Sequence, residues 1–294
     1  MLVLIDSSAL AYQSFFSLGN EFSYDEQDTG IIYGFLLQLL PLRKEVRSND
    51  FVFCFDHPAS FRKEVYPDYK NSPSRKKIMT DEEKKSFFKQ VDLLRTEILP
   101  AFGFKNVFQY EGLEADDIIA RICRSHSAVE NITIISSDKD LLQCLGKNVK
   151  IYQLRKKKFY TADHFQTAYG IEAYKYGIVK GYSGCTTDAV PGCEKVGDKT
   201  AIKYLKGELK EDSKVYQRLK EYSGSKEHEL TKELVMLPHK KMPEVEIEMN
   251  KFSKKGFFAM CEKYGLSSFE NELLKDWRSF FTKKRKMMFG KSLV

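Results

Sequence analysis

The sequence predicts an α/β fold, with a mostly parallel central sheet flanked by helices and a helical region after it. Two observations carry this. Short apolar runs of β type alternate with helical patterns between residues 2 and 154, the arrangement that buries a parallel sheet between helical layers. Acidic residues then stand at or just beyond the ends of those runs, where open α/β sheets bind their ligands.

Strands are expected at 2–5, 51–55, 106–110, 132–136 and 149–154, and helices near 30–46, 81–99 and 115–125. Residues 57–90 break the alternation with Pro58, Pro67 and Pro73, then a charged stretch through Lys85. Excursions of this length are uncommon in compact domains and often serve as lids or binding loops. From about residue 165 the β character fades. Two helices are expected to flank the glycine-rich segment from Gly181 to Ala201. Residues 223–243 read as a charged connector with Pro238 and Pro243, and the chain beyond 280 as a basic tail. The expected division is a core over 1–164 that includes 57–90, a helical region over 165–275, and a tail over 276–294.

Composition bounds the function. With 294 residues and 42% hydrophobic content, the chain can hold one large core or two small ones. No apolar run approaches the ~20 residues of a membrane span, and the start is too short for a signal peptide and lacks a basic head. Six scattered cysteines without a CxxC pair read as reduced cytosolic thiols, not a disulfide framework or a zinc site. Lys plus Arg number 48 against 41 Asp plus Glu, giving +7. Basic clusters occur at Arg75-Lys76-Lys77, Arg155 to Lys158, Lys240-Lys241, Lys254-Lys255 and Lys283 to Lys286. An acidic centre amid basic patches suits a polyanion gripped outside and reacted inside. Neither G-x-G-x-x-G nor G-x-x-x-x-G-K occurs, so dinucleotide and P-loop readings lack their phosphate cradle.

Four acidic stations stand out: Asp6, Asp56, Glu114 with Asp116 and Asp117, and Asp138 with Asp140. Like charges held together repel, so their convergence calls for a cation among them. Glu114, Asp116 and Asp117 also begin a helix, where the helix dipole favours acids; three in four residues exceed what capping requires. Asp138 and Asp140 are two apart, on one side of an extended backbone or in a polar turn. Gly192 to Gly197, followed by Lys199-Thr200-Ala201, resembles a helix–hairpin–helix element that lets backbone and helix N–H groups approach a phosphate. Lys70 after Tyr69, with Arg62 and Arg75 nearby, supplies cations that would neutralise a phosphodiester over the acids.

Taken in order, these residues resemble the 5′-nuclease, or flap endonuclease, family, which includes the 5′→3′ exonuclease domain of bacterial DNA polymerase I and stand-alone phage enzymes. The match runs over roughly residues 1–270: Ile-Asp6-Ser-Ser, Thr29 to Phe35, Phe55-Asp56, Phe61-Arg62 through Lys70, Glu111 to Asp117, Ser137 to Asp140, and Asp188 to Gly192 with Val196 to Ala201. It implies a PIN-like 5′-nuclease core, a helical arch at 57–90, and a helical C-terminal region with a helix–hairpin–helix at 188–201. The implied activity is a metal-dependent 5′→3′ exonuclease or flap endonuclease of DNA replication or repair. It also implies two Mg²⁺ or Mn²⁺ ions roughly 3.5–4 Å apart. Asp6, Asp56, Glu114 and Asp116 would hold the first; Asp117, Asp138, Asp140 and Asp188 would serve or support the second.

On the same resemblance, Lys70 and Arg75 act on the scissile phosphate. Arg62, Tyr69, Lys76, Lys77, Gly192, Gly197, Lys199 and Thr200 contact DNA, and the hairpin takes a K⁺. The implied partners are DNA with 5′ flaps, nicks or free 5′ ends, and RNA–DNA hybrids, but no membrane. No polymerase segment follows, so a free-standing monomer in the cytoplasm of a bacterium or phage-infected host is expected. Three positions depart from the family pattern. Cys185 stands where Gly-Asp-x-x-Asp has its first aspartate, Gln13 follows Tyr12 where arginine is usual, and Pro73 replaces an arginine three residues past Lys70. A soft thiol is a poor substitute for a carboxylate around Mg²⁺, so the second ion is expected to bind more weakly. Two other readings stand beside the enzyme: a branched-DNA-binding protein that cleaves weakly or not at all, and a small PIN-type ribonuclease, which would lack the arch and hairpin.

Overall fold

The computed structural model describes residues 1–19, 22–72, 79–278 and 280. Arg75, Lys76, Lys77 and the basic run 283–286 lie outside the described residues. The chain begins with β1 (Leu2–Asp6), α1 (Ser7–Leu18), the two-residue hairpin strands β2 (Ser23–Tyr24) and β3 (Gln27–Asp28), α2 (Gly30–Val46) and β4 (Asp50–Cys54). It continues through α3 (Phe61–Val65), α4 (Asp81–Leu93), α5 (Leu99–Phe102), β5 (Val107–Phe108), α6 (Ala115–His126), β6 (Ile132–Ile135), β7 (Val149–Gln153) and β8 (Lys158–Tyr160). Helices then follow: α7 (Ala162–Tyr169), α8 (Tyr176–Ser183), α9 (Asp198–Leu205), α10 (Lys214–Tyr222), α11 (Lys226–Val235), α12 (Lys254–Lys263), α13 (Ser267–Asn271) and α14 (Leu274–Arg278).

The main sheet has the order β5-β4-β1-β6-β7-β8, parallel except for the last strand. Its strands are apolar on both sides because helices cover both faces. Leu2, Leu4, Val52, Cys54, Ile132 and Ile134 point to one layer, packed by α6 to α10 and by Leu237, Met242 and Val245 of the non-helical segment after α11. Val3, Ile5, Phe51, Phe53 and Phe55 point to the other, packed by α1, α2, α5 and α12 to α14. Register places the site. Asp6 pairs with Cys54 across β1 and β4, and Ile5 with Ile135 across β1 and β6. The chain therefore leaves the sheet at Asp6, Asp56 and Ser136–Asp138 along one edge.

Each expected strand forms, although β5 is only two residues long, and β2, β3 and β8 were not anticipated. Two expectations need correction. The charged connector at 223–243 contains the ten-residue helix α11, whose Leu234 and Val235 are buried. The helices beyond residue 165 divide between the two faces of the sheet, since Phe257, Cys261 and Phe269 pack with α2 and α5. The supposed tail begins inside the core: Trp277 is fully buried and Phe280 nearly so, stacked 5.2 Å apart. An indole and a phenyl ring each gain about 1.5–3 kcal/mol or more by burial, which outweighs the polar character of the segment around them.

Candidate active site

Helix α1 starts where β1 ends, so Asp6 is both strand end and N-cap: its Oδ1 accepts from the Ala9 N–H at 3.0 Å. Its other oxygen accepts from Ser136 Oγ at 2.8 Å. Burial, with the nearby charges of Asp56 and Asp138, pushes the Asp6 carboxyl up to about 7. Asp56 is exposed and ties β4 to α6, its Oδ1 accepting from the Ala115 N–H at 2.8 Å. Ser136 also accepts from the Asp138 N–H at 3.0 Å, and Asp138 Oδ1 in turn accepts from the Asp140 N–H at 2.8 Å. That turn carries the two acids out of the sheet one after the other.

The acids at the start of α6 separate into different tasks. Asp117 is wholly buried and accepts four bonds: from Arg62 Nη1 at 2.6 Å, Arg62 Nη2 at 2.8 Å, the His239 N–H at 2.7 Å and the Glu114 N–H at 3.2 Å. Burial alone would raise its carboxyl, but the Arg62 guanidinium holds it below the ordinary value. Glu114 accepts from Tyr69 OH at 2.9 Å and pairs with Lys70 Nζ at 2.9 Å. Asp116 is the remaining one. Its Oδ1 is buried with no hydrogen-bond partner, and burial with the charges of Asp117 and Glu114 pushes its carboxyl well up. A buried carboxylate oxygen without a donor is costly unless a proton or a cation meets it.

These contacts correct three sequence expectations. Arg62 and Tyr69 do not face a nucleic acid: they are 2% and 4% exposed, and their polar groups are committed to Asp117, Glu114 and the Leu234 carbonyl. Asp117 is likewise committed, so it anchors α6 to α3 and leaves no oxygen open to an ion. Of the 57–90 excursion, the part through Ser72 is packed down, with the Lys70 N–H donating to the Asp188 carbonyl at 2.7 Å and Ser72 Oγ to that of Thr187 at 3.0 Å. Lys70 lies in the left-handed region at φ 57° and is 26% exposed beside the acids. Although burial opposes its charge, Glu114, Asp56 and Asp116 hold its ammonium well above the ordinary range.

Asp140 and Asp188 come together with Cys185, ligand atoms all within 4.8 Å of one another. Burial, then Asp138, raises Asp140 to about 6, and burial raises the Cys185 thiol. Sequence reasoning missed Lys180, a lysine on the apolar helix α8 that is 9% exposed and acts electrostatically on both Asp140 and Cys185. Its signal was a cation inside Ile-Val-Lys-Gly-Tyr, five residues before Cys185. It also missed Ser136, the hydroxyl that links Asp6 to Asp138.

Helices α8 and α9 flank the glycine-rich segment. Asp198, at the head of α9, accepts from Ser183 Oγ at 2.7 Å and Tyr176 OH at 3.0 Å, clamping the two helices together. Gly192 has no room for a side chain, since a Cβ there would lie 2.5 Å from the Ser183 carbonyl oxygen. Gly197, the N-cap of α9, and Lys199 are exposed, and Thr200 in the first turn of that helix is half-buried.

Residues 1–170 match the family described as "5′-3′ exonuclease, N-terminal resolvase-like domain". The 5′-3′ exonuclease of Aquifex aeolicus is 34% identical over 211 residues, covering 70% of this chain and 68% of the relative. DNA polymerase I of Bacillus subtilis is 30% identical over 231 residues, which span 76% of this chain and 25% of that protein. The structure of T5 5′-exonuclease with divalent metal ions (zinc) bound shares the fold, with a TM-score of 0.64 and 19% identity over 94% of this chain and 99% of that one. Fold, strand-end acids and sequence agree, and the chain belongs to the 5′-3′ exonuclease family of nucleases.

Proposed function

We propose that the chain is a divalent-metal-dependent, structure-specific 5′ nuclease that hydrolyses phosphodiesters at flaps, nicks and free 5′ ends of DNA, including RNA primers, in replication or repair. One observation carries this reading: Asp116 Oδ1 is buried without a donor among further acids at the carboxyl edge of a parallel sheet. Hard oxygen donors in that pattern suit Mg²⁺ or Mn²⁺. Asp6, Asp56, Glu114 and Asp116 would hold one ion; Asp138, Asp140 and Asp188 would serve a second, with Asp117 as support. Bound there, such ions supply an activated water and stabilise the leaving oxygen.

The chain's own residues do the rest. Lys70, held by Glu114 and partly open to solvent, offers its ammonium to the substrate phosphate. The N–H groups before α9, with Lys199 and Thr200, grip the duplex backbone by shape and not by sequence, and the same turn takes a K⁺. The core through residue 164 carries the chemistry and the helices that follow hold DNA, while α12 to α14 brace the far face of the sheet. The protein works as a cytoplasmic monomer. Among the described residues, no helix is long and apolar enough to cross a membrane.

Cys185 beside Asp140 and Asp188 favours a second reading, a branched-DNA-binding protein with weak cleavage or none. A 5′-labelled flap duplex separates the two. The nuclease reading expects Mg²⁺-dependent release of the labelled end that EDTA and Asp116→Ala both abolish. Tight flap binding with no product under Mg²⁺ or Mn²⁺ would establish the second reading.

A further inference from the structure

We propose that Asp140, Cys185 and Asp188 form a mixed sulfur–oxygen site that selects a thiophilic divalent cation, such as Zn²⁺ or Co²⁺, over Mg²⁺. The inference rests on reading the clustered acids as cation ligands and goes beyond it by naming the ion class. Among the described residues, this is the one trio of His, Cys, Asp or Glu whose ligand atoms lie within 4.8 Å of one another. Cys185 Sγ is 3.7 Å from Asp188 Oδ2 and 3.1 Å from Thr187 Oγ1.

The three donors arrive on a fixed frame. Cys185 and Val190 exchange two backbone hydrogen bonds, of 3.1 and 2.9 Å, closing the turn that carries Asp188. Gly184 enters that turn at φ +66°, and a Cβ there would lie 2.6 Å from the Val190 carbonyl oxygen. The bonds from the Lys70 N–H and Ser72 Oγ to the Asp188 and Thr187 carbonyls pin its outer side. A sulfur held beside two carboxylates by this many constraints is a built-in donor, not a side chain that swings away when an ion arrives.

Donor chemistry then sets the preference. Thiolates favour Zn²⁺ and the borderline ions, whereas Mg²⁺ favours oxygen. A coordinating thiol gives up its proton to solvent outright. The nearly buried Lys180 on α8 acts as a fixed cation on Asp140 and Cys185, while Asp138 and Lys70 also act on Asp140.

The test is titration of the purified chain, free of Mg²⁺, with Co²⁺, reading the near-ultraviolet thiolate-to-cobalt charge-transfer band. The expected result is a saturable band that Zn²⁺ removes and excess Mg²⁺ does not. The band should vanish in Cys185→Ser and persist in Cys123→Ser; this control is needed because the Cys123 and Cys144 thiols, in contact with each other beside a cavity of about 380 Å³, are a rival sulfur site. In Cys185→Asp, Mg²⁺ should become an effective competitor for Co²⁺, read by the visible cobalt bands. Cobalt binding without a charge-transfer band, or a band that survives in Cys185→Ser, overturns the proposal. Flap cleavage measured alongside reports separately: cleavage in Mg²⁺ without the band overturns the sulfur site alone. Absence of cleavage with every divalent ion, the band intact, overturns the nuclease reading alone.

Discussion

Two regions of the acidic edge bring carboxylates together by different means. Asp6, Asp56 and Asp138 are placed by the sheet: neighbouring strands run ~4.8 Å apart, and each acid is steadied by its own backbone or serine donor. Asp140, Cys185 and Asp188 are placed by turns and a loop from a distant part of the chain, and they converge more closely, within 4.8 Å. The sheet-built group is all oxygen; the loop-built group contains sulfur. Sheet register thus gives a hard-donor set whose spacing substitution scarcely alters, while the loop is where one residue changes the chemistry of the site.

The largest effect expected is on the frame beneath both groups. Arg62→Met leaves Asp117 buried and unpaired, which should cost roughly 3–5 kcal/mol, visible as a lower urea midpoint. A double variant with Asp117→Leu should recover much of that loss, and failure to recover would show that Asp117 is more than an anchor. Asp116→Ala should reduce single-turnover flap cleavage by ~10²–10³-fold or more while leaving flap affinity within a fewfold. An equal loss from Asp117→Asn would erase the division of labour drawn between those neighbours.

The pH dependence of stability is a finer probe. Asp6 holds its proton up to about 7 and Asp140 to about 6, against an ordinary 3.8. The folded chain then binds more protons than the unfolded one between about pH 4 and 7, so stability without divalent ions falls as pH rises through that window and levels off above it. Asp6→Asn should flatten the profile and stabilise the EDTA-treated chain at pH 8 by up to ~4 kcal/mol, about three pKa units at ~1.4 kcal/mol each. Urea titrations at pH 5 and pH 8 with EDTA measure it; a profile unchanged by the substitution would mean Asp6 is ionised throughout. The smallest effect belongs to the loop. Cys185→Asp should raise the cleavage rate in limiting Mg²⁺ by about tenfold, the scale of ~1.4 kcal/mol, and lower the Mg²⁺ needed for half-maximal rate. If metal dependence and rate stay unchanged, Cys185 does not weaken the second site.

Much of this was legible in the residues. The β1, β4 and β6 runs were readable because strands buried on both faces are apolar at every position. The acids after them were readable because parallel sheets present ligand groups at one edge. Arg62 was misread for a physical reason. A cation on a proline-rich, polar excursion looks solvated, and its partners Asp117 and Leu234 lie 55 and 172 residues away. Trp277 and Phe280 were misread in the same way, since the charged residues around them hide a pair of rings that fill a distant core.

By itself the sequence determined the parallel α/β core, the edge at which its acids gather, the family and the presence of a cysteine in an otherwise carboxylate set. Those properties follow from local pattern and from the identity of single residues. Only the tertiary structure decided which acid does what. Asp116 and Asp117 are neighbours in sequence but ~100° apart around a helix. One therefore keeps an unmet buried oxygen near Glu114 and Lys70, and the other turns inward to Arg62.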